Sequence, residues 1–128
     1  MQKMLIAIQL SNAAEMAVAL QNIVELQHEK FEIDTKLIVN NKWLDANTTT
    51  QISQKNISTI LLEDNFESGK THKIIFEYSK AKNYDFVVVA NLIQYNYLKN
   101  NYSNYIAIFS TMYCIVLLNV LSLPHHSN

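Results

Sequence analysis

Five short apolar runs, each of strand length, recur along the 128-residue chain, and helical periodicity fills the gaps between them. Phe86-Val87-Val88-Val89-Ala90 is the densest in β-branched residues, which suit a pleated, buried surface. The runs predict strands at 4–9, 33–39, 57–62, 85–90 and 114–120. Between them, Ala13, Met16, Ala17, Leu20, Ile23, Val24 and Gln27 follow a 3.6-residue period and predict an amphipathic helix over 12–30. Ser11 or Asn12 offers its N-cap, and Asn12 with Glu15 fits a capping box. Ile74, Ile75, Tyr78 and Ala81 predict a second helix over 71–82. Leu92, Tyr95 and Leu98 begin the inward side of another over 92–109. The polar stretch 40–58 predicts at most a short helix anchored by Trp43 and Leu44. Asp64 to Lys70 reads as a loop.

Continuous apolar strands alternating with helices define the α/β class. They predict a parallel sheet covered on both faces, a three-layer α/β/α sandwich with five strands. The length suits one domain, placed at 1–123, with 124–128 as a flexible tail. Ligands of such sheets bind outside the carboxyl ends of the strands. The default site therefore falls around Gln9–Asn12, Val39–Lys42 and Asn91–Gln94, with Gln9, Ser11, Val39 and Asn91 as its nearest candidates.

Composition narrows what that site can hold. The chain has one glycine, against roughly nine at an average usage of about 7%. Nucleotide fingerprints built on several glycines are excluded, because their glycines let backbone N–H groups approach phosphate. All ten basic residues are Lys and the formal net charge is -1. Without the two-point guanidinium clamp of Arg, a phosphate-rich ligand and a nucleic-acid groove are disfavoured. One Cys can form neither an intrachain disulfide nor a multi-thiolate metal site, so a reduced, cytoplasmic setting is expected.

The remaining candidates weigh toward structure. Ser68-Gly69-Lys70-Thr71 mimics the end of a phosphate-binding loop between a strand and a helix. Asp64 stands where its first glycine belongs, so it reads as a loop entering a helix. His28 is expected near a helix C-terminus, His72 on the surface, and His125 and His126 in the tail; no metal site follows. Cys114 has apolar neighbours and reads as an inert thiol. Ser11 lacks an activating His and reads as a helix cap. No catalytic group emerges, and no enzyme activity is expected. Residues 105–123 carry no charge and are long enough to span a bilayer, but Ser110, Thr111, Asn119 and Ser122 dilute them.

Several segments resemble the universal stress protein family. Met4-Leu5-Ile6-Ala7-Ile8-Gln9-Leu10-Ser11 is similar to the family's opening "ILVAVDGS". Residues 74–90, ending in Asp85-Phe86-Val87-Val88-Val89-Ala90, resemble "I..YA...GADLIVVG". Cys114-Ile115-Val116-Leu117-Leu118-Asn119-Val120 resembles the closing "CPVLVV". Order and spacing fit over 4–120. The resemblance implies the strand order 3-2-1-4-5, the adenine-nucleotide α-hydrolase-like fold, and a homodimer paired through the 114–120 edge, with Ile115, Leu117 and Leu118 near the axis. ATP-binding members carry a glycine motif after the fourth strand. Here its positions are Ala90, Ile93, Ser103 and Asn104, and the family's acidic residue is Gln9. The expected function is a non-enzymatic, dimeric stress-response or protein-interaction module without robust ATP binding. ATP or AMP is disfavoured and no cofactor is expected. The alternatives are an adenine-nucleotide sensor with a non-standard pocket and a C-terminally anchored domain.

Overall fold

The computed structural model describes residues 1–63 and 70–100 and the backbone of 115–117. Four parallel strands form the sheet: β1 (Gln2–Gln9), β2 (Phe31–Asn40), β3 (Thr59–Leu62) and β4 (Phe86–Asn91). Their order is β3-β2-β1-β4, with β1 paired on both sides. The helices are α1 (Ala13–Asn22), α2 (Ala46–Gln54), α3 (Thr71–Ala81) and α4 (Leu92–Asn100), with a short 3-10 turn at Asn41–Trp43.

Strand alternation divides the core. On one face Met4, Ile6, Ile8, Leu37, Val39 and Val88 pack under Met16 and Leu20 of α1 and Tyr95 and Leu98 of α4. On the other, Leu5, Ala7, Ile38, Val87 and Val89 pack under Ile75 of α3. Both faces are covered, which is why these strands carry unbroken apolar runs.

A further strand, β5 (Ile115–Leu117), pairs with β4 at the sheet edge. The position matches the expected order 3-2-1-4-5, but the direction does not. Phe86 pairs with Leu117 and Val88 with Ile115, so β5 runs antiparallel, and the expected parallel sheet is corrected to a mostly parallel one. Handedness agrees with the reversal. α4 lies on the α1 face, whereas a right-handed crossover outward from β4 needs the α3 face. A parallel β5 reached from α4 would make the left-handed connection that such sheets avoid. An antiparallel strand escapes the rule, and the apolar run Ile115-Val116-Leu117 encodes no direction of its own. The rest of 101–128, including the expected helix beyond Asn100, Cys114 and the tail, lies outside the described residues.

The helix expected over 12–30 stops at Asn22. Its start at Asn12 is as expected, but the capping box is only half formed: Asn12 Oδ1 accepts from Glu15 N at 2.9 Å, while Glu15 Oε1 accepts from Ser11 N at 2.8 Å and not from the cap residue's own N–H. Asn12 is therefore the cap, and Ser11 is not. Its end is set by partners far away in sequence. Lys55 Nζ donates to Leu20 O at 3.0 Å and Lys99 Nζ to Asn22 O at 3.2 Å, which satisfies two last-turn carbonyls. Tyr95 Oη then takes both backbone groups of Val24, accepting from its N–H at 2.8 Å and donating to its C=O at 2.9 Å. Leu26 N donates to Thr35 Oγ1 at 3.4 Å. Residues 23–30 are thereby tied to α4 and β2. His28 lies six residues past the helix, beside Phe31 with ring centroids 5.4 Å apart, so its expected helix-end position is corrected.

The polar stretch after β2 holds a full helix. Asp45 Oδ1 accepts from Thr48 N at 2.8 Å and Thr48 Oγ1 accepts from Asp45 N at 2.9 Å, a reciprocal capping box. Periodicity could not reveal α2, because it buries none of its residues fully.

Candidate functional site

The carboxyl ends of the strands open onto a cleft of about 510 Å3. Strand register builds its floor. Gln9 pairs with Asn91 on one side and with Ile38 on the other, and Asn40 pairs with Leu62. Leu10, Ser11, Trp43 and Thr71 complete the lining. Of the four candidates from the sequence, Gln9, Ser11 and Asn91 come together here. Val39 does not. It is fully buried in the α1-side core, because its side chain points to the opposite face from those of Ile38 and Asn40.

Two amides are oriented by their own turns. Asn40 Oδ1 accepts from Lys42 N at 3.0 Å. Asn91 Oδ1 accepts from Gln94 N, and Gln94 Oε1 accepts from Asn91 N, both at 2.8 Å, which caps α4. Each oxygen is engaged, so each NH2 is left as the donor to a visitor. Gln9, Ser11 and the Trp43 indole add further hydrogen-bonding capacity. The lining is therefore rich in donors, and Leu10, Ile38, Leu62 and Trp43 supply an apolar wall. Among the described residues, none of the nine lining side chains is a carboxyl, imidazole, thiol or amine.

Trp43 and Thr71 were not among the candidates. The aromatic after β2 was readable only as a packing anchor. Thr71 sat inside the phosphate-loop mimic, and β3 and α3 do flank that stretch as strand and helix. His72 is exposed on α3, as expected. Among the described residues no three acidic, His or Cys side chains cluster as a metal site would require. Among the same residues no helix is long and apolar enough to cross a membrane; 105–123 lies outside them. No family model, curated protein or solved structure matches the chain.

Proposed function

We propose that the chain is a non-enzymatic, ligand-responsive module of the universal stress type, whose cleft takes a small molecule rich in hydrogen-bond acceptors. The observation that carries this reading is the lining itself: donors beside an apolar wall, with no carboxyl, imidazole, thiol or amine among its nine described side chains and no base placed beside the Ser11 or Thr71 hydroxyl among them. General acid–base or covalent catalysis needs such a group within hydrogen-bond reach of the reacting atom. A cleft of this size suits a compact ligand with part of its surface apolar.

ATP fits this cleft poorly. Ile93 is 80% exposed after β4, at a glycine position of the family's phosphate motif. Losing several charge-assisted amide contacts, at about 1.5–3 kcal/mol each, removes most of a micromolar affinity. Calorimetric titration is expected to find ATP binding no tighter than roughly millimolar. A micromolar dissociation constant would favour the nucleotide-sensor reading instead.

The module is expected to work as a homodimer through the 114–120 edge. Among the described residues β5 is the outer strand of the sheet, and an edge strand is a template for another chain. No charged residue lies between Lys99 and Leu123 to discourage pairing. Light scattering at tens of micromolar (an ordinary working range) should give twice 14.8 kDa, and Leu117→Lys should return the monomer. A wild-type mass of 14.8 kDa rules the dimer out.

A further inference from the structure

α3 begins differently from the other helices. α1 is capped by Asn12, α2 by Asp45 and α4 by Asn91, each through a side-chain oxygen on a backbone N–H. At the start of α3, Lys70 holds the cap position with no side-chain cap bond among the described residues, and the first turn from Thr71 has no acidic residue. Lys70, His72 and Lys73 surround it instead. A helix start carries roughly half a positive charge, so cations there are unfavourable unless an anion joins them.

A second observation points the same way. Thr71, the first residue of α3, lines the cleft and is 2% exposed. Its hydroxyl has no hydrogen-bond partner among the described residues, and a buried unpaired hydroxyl is costly. By contrast Ser79, the other fully buried hydroxyl of α3, donates to Ile75 O at 2.7 Å.

We infer that the start of α3, with the Thr71 hydroxyl, is an oxyanion-binding subsite of the cleft, which takes one phosphate-monoester or carboxylate group of a small ligand whose apolar body lies along Trp43. This deepens the proposed cleft function and rests on it. Backbone N–H groups of the first turn and the Thr71 O–H donate to the oxyanion, and Lys70 adds long-range attraction. One helix start suits one such group. A triphosphate would bring more charge than the cleft can neutralise without Arg, which agrees with the weak ATP binding expected above.

Trp43 is the only tryptophan of the chain, so its fluorescence reports this cleft alone. Phenyl phosphate serves as the probe, and benzyl alcohol as its uncharged counterpart. The wild type should respond saturably to phenyl phosphate and at least about tenfold more weakly to benzyl alcohol. Thr71→Val and Lys70→Glu should each weaken phenyl phosphate by about tenfold or more. In the unliganded protein, Thr71→Val should raise the melting temperature by removing a buried hydroxyl that has no partner among the described residues, and Lys70→Glu should not lower it. Those two melts separate lost binding from lost fold. Unchanged affinity in both variants overturns the oxyanion subsite and leaves the cleft reading standing. No fluorescence response to either probe overturns both.

Discussion

Tyr95→Ala should cost about 3–5 kcal/mol in stability, a large part of the 5–15 kcal/mol that typical domains possess. The ring is 1% exposed in the α1-side core, between Leu98 and the β1 side chains. Its removal opens a cavity that α4 cannot easily close. The hydroxyl adds a second loss, because it alone satisfies both backbone groups of Val24 at 2.8 and 2.9 Å. Tyr95→Phe isolates that part and should cost about 1–3 kcal/mol by leaving those groups unpaired. Urea titration of both variants measures the two components. A Tyr95→Ala variant within about 1 kcal/mol of wild type, at the scale of an ordinary substitution, would mean that α4 is not fastened to the segment after α1.

The second large effect is alkaline destabilisation. Burial raises the pKa of Tyr84, and the bond its Oη donates to Asp34 Oδ2 at 2.5 Å raises it further. Burial also raises that of Tyr95, against a smaller opposing contribution from the Val24 backbone. Both phenols thus stay neutral in the folded chain at a pH where unfolded tyrosine, with a pKa of about 10, has ionised. Their stabilisation is fully present below about pH 10 and is lost as pH rises through the folded-state values. Between the unfolded value of about 10 and its own folded-state value, each removes at most about 1.4 kcal/mol per pH unit, and the loss stops above the folded-state value. Melting temperature should therefore be flat from about pH 8 to 9.5 and fall steeply toward pH 11.5. Tyr84→Phe should flatten part of that fall, and Tyr84→Phe with Tyr95→Phe more of it. An equally steep fall in the double variant would assign the effect to other groups.

The sheet was legible because its strands are buried on both faces. Runs such as Leu5-Ile6-Ala7-Ile8 and Val87-Val88-Val89 have no amphipathic alternative, and their order followed from the family resemblance. The helices were legible where a stripe meets the core, as at Met16, Leu20, Tyr95 and Leu98. The end of α1 was not, because Lys55, Lys99 and Tyr95 terminate it from more than thirty residues away. Ala17 fits the periodic stripe but is exposed, and Ala19 is buried in its place. The direction of β5 was hidden too, since the apolar run Ile115-Val116-Leu117 suits either direction. At the site, strand ends located Gln9, Ser11 and Asn91. They misplaced Val39 by one step of the pleat, which inverts a side chain. Thr71 was present in the sequence as a motif fragment, but that its hydroxyl is buried, with no partner among the described residues, is a property of packing alone.

The central place of β1 has a consequence for synthesis. Of the described strands, β1 is made before the others and is flanked on both sides in the finished sheet. β2 pairs with one of its edges soon afterwards, but the other waits for β4, which begins at Phe86. At about 5–20 residues per second, that edge stays open for several seconds after β2 has emerged. During this interval the nascent chain offers Met4, Ile6 and Ile8 beside an unpaired row of backbone groups. Such a segment is a natural target for a holding chaperone, and a message that pauses before β4 should raise the misfolded fraction more than one that pauses after it.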